Sequence, residues 1–550
     1  MQGRKQLSFS AIHHEGATVE RCKRVKTGAV RTEITSCLMI SIAVLGVASS
    51  SPRPQSSESV HRIQELIQQG DLAHAQQLLS EELRKSPGDA NLHNLDGVIK
   101  AQGHDFAGSE ASFQKAIELA PSFEDAYLNL GHLYQEWMPQ QPAARDKAIE
   151  VYAQILRFDP GNAEANYQSA LLLMQKGLYT QSLRCLSSLP ANGQNRSQAL
   201  SVQCADEAGL GSAAKAEAVA DRMLESPDLA EADVVSLLPA LARHKNTPLA
   251  VKLLEGLNSR NLATANSLTS LGLLYRQQGR LEDARRALNQ AAQFPPISVA
   301  LLLDLAEVAD EQKDYTGALG YLAHARELEP QNASIHFFWG MVSVQMNLAE
   351  EAYQSLKKAV SLDPNNAYYN YAMGAVALQR EEASEAIPYF QKYCQLKPHD
   401  PRGRLGLGSA YFASHDDEQA EKVIVTVEDN PETAAGAHYY LGKIANHKGN
   451  YAEAIAQLEM AMKRYPNYAD AYAERGLVHL KQKDYADARS DLQKALKINP
   501  DNYTANMNLL ILYQRTKDPK ADEQAKRFEH VRQERAQRVK DFLRTIEVRP

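Results

Sequence analysis

The sequence predicts an all-α solenoid of stacked helix–turn–helix units, and two observations carry that prediction. Prolines recur at Pro296, Pro330, Pro364 and Pro398, spaced by 34 residues each time, and Pro466 and Pro500 keep the register across a double step. Around them other positions repeat. A small residue stands 24 before each proline (Gly272, Ala306, Gly340, Gly374, Gly442, Gly476), and an alanine follows 12 later (Ala284, Ala318, Ala352, Ala386, Ala454, Ala488). A bulky apolar residue comes four further on: Leu288, Leu322, Leu356, Phe390, Leu458 and Leu492. A period of this size marks stacked supersecondary units rather than separate domains. Small residues suit close helix crossings, and proline closes the second helix because it lacks the N–H to continue it.

Composition agrees. The chain has 550 residues, 44% hydrophobic and 23% charged, which excludes both a disordered chain and a polytopic membrane protein. The net charge of −7, from 60 Lys+Arg against 67 Asp+Glu, supplies no basic field for a phosphate backbone, so nucleic acid is not an expected partner. Cys22, Cys37, Cys185, Cys204 and Cys394 show no CxxC spacing, which argues against a zinc site or a disulfide-stapled fold.

The elements follow in chain order. Residues 37–48, CLMISIAVLGVA, form an apolar run after Arg21, Lys23, Arg24, Lys26 and Arg31 and before SSSP, the three-part layout of a secretory signal peptide. The run is shorter than the ~20 residues a membrane-spanning helix requires, so cleavage near Ala48 and no permanent span are expected. Loss of the basic leader would take the net charge from −7 to about −11. A linker at 49–57 leads to an N-terminal array at 58–190, whose units carry Gly70, Ala75, Leu79 and Pro87, then Gly97, Phe113, Ala116 and Pro121. The next unit holds Gly131, Tyr134, Ala148, Tyr152 and Pro160, with about five extra residues around Met138–Pro142, and a fourth holds Ala170, Gly177, Tyr179 and Leu186. Between 191 and 262 the register fades while helical periodicity persists, giving degenerate helical repeats or a hinge. The C-terminal array runs over 263–518. One of its units (Gly408, Tyr411, Ala420, Pro431) reads as a residue short. Residues 519–550 read as a charged capping helix with Phe528, Val531, Val539, Phe542 and Ile546 on its apolar face.

Unit 435–468, AGAHYYLGKIANHKGNYAEAIAQLEMAMKRYPNY, places Gly442, Gly449, Tyr451, Ala454, Leu458, Ala461 and Pro466 in a pattern that resembles the tetratricopeptide repeat. The resemblance implies a right-handed superhelical solenoid whose first helices line a concave groove. About fourteen units of 34 residues would fill the chain after residue 48.

No phosphate loop of the form GxxxxGK[ST], no HExxH and no GxSxG occurs. GRLGLGS at 403–409 supplies helix-contact glycines, Asp416 and Asp417 fall in an inter-helix turn, and His336 and His438 recur at one repeat position, which points to packing. No catalytic, metal or cofactor site and no small-molecule substrate is therefore expected. The groove offers more. By the resemblance, Phe337, Tyr371 and Tyr439, each three before their unit's glycine, face it, joined by Tyr368, Phe412, Met341, Leu378 and Lys443. Aromatic rings with a polar tip combine apolar area with hydrogen bonding and make good anchors for a peptide or partner helix. Asn129 and Asn508 alone occupy a ladder-like position, too far apart to imply an asparagine ladder.

The expected function is a non-enzymatic scaffold that holds protein or peptide partners, exported to the periplasm or cell envelope, or secreted, and active in complex assembly there. A targeting subunit for a separately encoded glycosyltransferase or peptidase is one alternative, and a cytoplasmic adaptor or co-chaperone is another.

Overall fold

A computed structural model describes residues 56–137 and 143–547, with side chains to 534. The expected leader at 1–48, nearly all of the linker and Met138–Pro142 lie outside the described residues. Among the described residues every regular element is helical. Twenty-eight α-helices form fourteen consecutive pairs, with one extra four-residue turn, Ala191–Gln194. Seven pairs, from Ser56–Gln68 to Leu281–Ala291, lie in one compact unit, and seven, from Val299–Glu311 to Ala521–Glu547, lie in another.

The turn inside each pair explains the period. In thirteen of the fourteen pairs it passes through a residue with positive φ: Gly70, His104, Gly177, Gly211, Lys245, Gly279, Lys313, Asn347, Glu381, His415, Gly449, Lys483 and Lys517. From Gly177 to Lys517 these stand 34 apart without a break, so the backbone keeps its register through 191–262, where the side-chain pattern fades. Two full helix pairs occupy that stretch, Ser197–Gly209 with Ala213–Glu225 and Glu231–Arg243 with Thr247–Ser259. The next residue often caps the second helix: Asp105 accepts from Gly108 N at 3.0 Å and Asp314 from Gly317 N at 3.0 Å. Such a cap is worth about 1 kcal/mol.

Within a pair, the small residue of the first helix receives the bulky residue of the second. A Cβ on Gly442 would lie 2.7 Å from Leu458 Cγ, and Leu458 is fully buried, so the glycine is required by packing rather than by backbone conformation.

Between pairs a second device recurs. At seven junctions the residue six after a closing proline reaches back to that proline's carbonyl. His93 Nε2 donates to Pro87 O (2.9 Å), Tyr127 Oη to Pro121 O (3.0 Å) and Asn166 Nδ2 to Pro160 O (2.9 Å). His336 Nε2 reaches Pro330 O (2.9 Å), Asn370 Nδ2 Pro364 O (3.0 Å), Asn506 Nδ2 Pro500 O (2.9 Å), and Arg404 Nη2 bonds Pro398 O. Any side chain that puts an N–H or O–H at that point serves, because the need is to satisfy a carbonyl that the helix end leaves without a partner. His336 is therefore a junction donor as well as a packed residue.

The last helix, Ala521–Glu547, lies against Tyr503–Thr516: Val531 is buried, Phe528 meets the Tyr503 ring at 5.2 Å, and Arg527 bonds Asp501 at 2.5 Å. Cys185, Cys204 and Cys394 are free thiols. No helix among the described residues is long and apolar enough to cross a membrane.

Candidate functional site

The eight residues singled out from the sequence fall into two groups in the 298–547 unit. The first is packed inward. Met341 and Tyr371 are 1% and 2% exposed, and the Tyr371 ring meets Phe390 at 5.5 Å and Tyr393 at 5.0 Å. Phe337 is buried against Tyr369 with ring centroids 4.8 Å apart. Tyr368 and Leu378 are half-buried at the edge of the same cluster, with Lys397 Nζ 5.7 Å from the Tyr368 ring. Phe337 thus joins two repeats and Tyr371 packs within its own helix pair, and burial pushes the Tyr371 hydroxyl well above its usual range.

Phe412, Tyr439 and Lys443 form the second group, and the structure brings them together with Tyr440, Tyr468 and His447. The Lys443 ammonium lies 4.8 Å from the Phe412 centroid, 5.5 Å from Tyr439 and 6.0 Å from Tyr440. The other face of the cluster is closed by His447, 4.9 Å from Phe412 and inclined 32° to it, and by Tyr468, 5.0 Å from Tyr439. Lys443 and Tyr439 are half-buried, whereas Phe412 is covered. Burial raises the hydroxyls of Tyr439, Tyr440 and Tyr468, so they remain O–H donors throughout the neutral range. A lysine above three rings is held by the negative faces of their π systems, worth about 0.5–2 kcal/mol each, while its charge stays available to an incoming anion.

One repeat further on, polar side chains extend this face. Asn446 donates to Glu474 Oε1 at 2.7 Å and accepts from Lys481 Nζ at 2.7 Å. Asn446 and Glu474 are buried, and their bonds cross between first helices. The sequence reading passed over Tyr440, His447, Asn446, Glu474 and Lys481, yet the period could have found them. Asn446 stands 34 after Phe412, Glu474 34 after Tyr440, and Lys481 34 after His447. Of the ladder-like asparagines, Asn129 bonds Asn94 Oδ1 at 3.0 Å, and Asn508 is buried with its Nδ2 unpartnered.

Elsewhere the acidic residues have structural employment. Asp416 caps the Asp417–Ile424 helix by accepting from Gln419 N at 3.1 Å, and Asp417 lies 3.4 Å from His447 Nδ1. His479, Asp484 and Asp487 bring one potential metal-ligand atom each within 4.8 Å, a grouping that the sequence reading did not foresee. Asp484 is already the cap of Tyr485–Ile498, and both aspartates are open to solvent, so helix capping accounts for the arrangement.

Fourteen consecutive helix pairs, eleven of them in unbroken 34-residue register, define an α-helical repeat solenoid. Family models described as tetratricopeptide repeat match residues 239–333, 339–401, 448–503 and 473–525, and a second such model matches 144–204 and 377–435. The chain belongs to the tetratricopeptide repeat family. Among solved structures it is similar to a tetratricopeptide repeat protein from Parabacteroides merdae, at 19% identity over 45% of this chain and 98% of that one, with a TM-score of 0.40. It is also similar to the Cut9–Hcn1 hetero-tetramer of the APC/C, at 13% identity over 80% of this chain and 93% of that one, TM-score 0.38. A third is YrrB, described as having an unusual peptide-binding site, at 23% identity over 34% and 95%, TM-score 0.26. The search of curated proteins found no match. Arrays of this family are typically non-catalytic scaffolds for protein–protein interaction.

Proposed function

We propose that the protein is an exported scaffold that holds a protein or peptide partner on the first-helix face of its C-terminal array, centred on Phe412, Tyr439, Tyr440 and Lys443. The observation that carries this reading is the Lys443 ammonium, set over three aromatic rings. The surrounding rings supply apolar area, and the lysine supplies a charge for a carboxylate of the partner. The signal-like segment at 37–48 supports export to the cell envelope.

The test compares partner recovery by quantitative mass spectrometry between the wild-type chain and Lys443→Glu or Tyr439→Ala. Both side chains are half-buried, less so than Tyr371 or Met341, and circular dichroism of the variants checks that the helices are retained. Removing one charge-assisted contact, about 1.5–3 kcal/mol, should lower recovery at least roughly tenfold. Equal recovery by all three proteins would remove the proposed face. N-terminal sequencing of the natively expressed chain tests export: a start near Ser49 is the expected result.

A further inference from the structure

Asn192 and Gly193 form the one Asn–Gly step in the sequence. They lie in the four-residue helix Ala191–Gln194, which leads from Tyr179–Ser187 to the first helix of the next pair, Ser197–Gly209. The Gly193 main-chain N–H donates to Asn192 Oδ1 at 2.9 Å, so the glycine nitrogen stands beside the carboxamide of the residue before it. Reaction between two groups of one chain is fast when the fold already holds them together in this way. Standing in the first turn of its helix, this N–H donates to no main-chain carbonyl among the described residues. Glycine also carries no Cβ to screen its nitrogen. Asn192 is exposed, and its Nδ2 bonds to no described residue, so nothing in the fold holds that group in place.

Asn195, three residues on, shows the contrast. Its Oδ1 accepts from Arg222 Nη2 at 2.7 Å and its Nδ2 donates to Ala191 O at 2.9 Å, so both ends of that amide are tied. Arg196 follows it, with a side chain over the nitrogen that glycine leaves open.

We propose that Asn192 is a modification site at which the chain deamidates itself. Hydroxide takes the Gly193 N–H proton, the nitrogen forms a bond to Asn192 Cγ, and the Cγ–Nδ2 bond breaks as water returns a proton to the departing ammonia. Water then opens the cyclic imide. Addition at Cγ gives aspartate, and addition at the Asn192 main-chain carbonyl carbon gives isoaspartate, with the chain continuing through the former side chain. Either product places a carboxylate in the turn. Isoaspartate also lengthens the main chain inside a turn closed by Gln194 N to Pro190 O at 3.0 Å, so the step marks the age of the chain at a joint between two helix pairs. The site lies in a different compact unit from Lys443 and does not depend on the proposed binding face.

The test follows the folded full chain over days at mildly alkaline pH. Trypsin releases residues 185–196 as one peptide that carries both asparagines. Mass spectrometry should find a gain of one dalton at 192 in most of that peptide, chiefly as isoaspartate, with Asn195 still an amide. Gly193→Ala should slow the gain by more than an order of magnitude. Its Cβ would lie 3.5 Å from Pro190 Cδ and 3.6 Å from Leu189 Cβ, ordinary contacts that leave the turn its shape. An Asn192 that stays an amide in the folded chain overturns the inference, even where the free 185–196 peptide deamidates. Equal rates at Asn192 and Asn195, or in the wild-type and Gly193→Ala chains, overturn it as well. If Gly193→Ala loses its helical circular dichroism, the comparison of Asn192 with Asn195 decides alone.

Discussion

Asp206 offers the sharpest test of how this fold treats charge. It sits on Ser197–Gly209 with no exposed surface, and neither carboxyl oxygen has a hydrogen-bond partner. Ser182 beside it works against the rise, but its hydroxyl donates to Ala170 O at 2.8 Å, so burial dominates. Burial pushes the Asp206 carboxyl up from 3.8 to about 8, and nearby Glu207 adds to the rise. The folded chain therefore keeps a proton at pH 7 that the unfolded chain releases near pH 4. Because the folded state binds more protons, stability is fully present below about pH 4 and falls as pH rises through about 8. The slope is about 1.4 kcal/mol per pH unit, so the step from pH 5 to pH 7 should cost this unit about 2.7 kcal/mol.

Asp206→Asn keeps the shape and removes the titration. The quantity to measure is a double difference: the opening free energy of amides in Tyr179–Ser187 and Ser197–Gly209, variant minus wild type, at pH 5 and at pH 7. Groups that titrate in both proteins cancel in this difference. The variant should gain about 2.7 kcal/mol on the wild type between the two pH values. A double difference below about 0.5 kcal/mol would mean that Asp206 is ionised in the folded chain, and the argument from its burial would fail.

Two further predictions concern the repeat frame. Gly442→Ala should destabilise the chain by about 1–3 kcal/mol, since the added Cβ lies 2.7 Å from Leu458 Cγ, and Leu458→Ala by about 2–5 kcal/mol. Combined, the two should cost less than their sum, which thermal or urea unfolding of the four proteins measures. Lys245→Gly should stabilise its unit by about 0.5–1 kcal/mol, because φ is +54° there and a side chain costs about 1–2 kcal/mol in that region against a smaller entropic cost of glycine. Gly279→Lys, at the same place one repeat on, should do the reverse; a common sign for both changes in unfolding midpoint would refute the account.

How far the sequence reached depends on what each position needs from its side chain. Core positions demand apolar volume, so Gly442 opposite Leu458 and Gly374 opposite Phe390 could be read from spacing alone, and with them the helix pairs and the period. The turn demands a backbone conformation that glycine shows openly at Gly177, Gly211, Gly279 and Gly449 but that Lys245, Lys313, Glu381 and His415 conceal. Within 191–262 Lys245 alone conceals it, and the loss of the closing prolines is the larger reason why the side-chain pattern fades there although the backbone keeps step. The junction demands only a donor, and histidine, tyrosine, asparagine and arginine all supply one. A requirement met by four residue types leaves no single-letter pattern.

The candidate site was partly legible for a related reason. A position three before the repeat glycine indicates a helix face, but not whether the neighbouring repeat covers it. Tyr371 and Tyr439 occupy the same register, yet Tyr371 is closed over by Phe390 and Tyr393, while Tyr439 stays half-open beside Lys443. The difference lies in the next repeat. Beyond Tyr371 it brings Pro401–Ala413, whose glycines at 403 and 406 let that helix approach closely; beyond Tyr439 it brings Ala469–Gln482, where Ala471 and Glu474 stand at the corresponding places instead. Tight packing thus turns an aromatic of the binding face into core, and the looser approach at the following repeat leaves Tyr439 and Tyr440 half-exposed beside Lys443, while Phe412 stays covered. In an array built from one repeated unit, the spacing between neighbours is what separates a structural aromatic from one that can meet a partner.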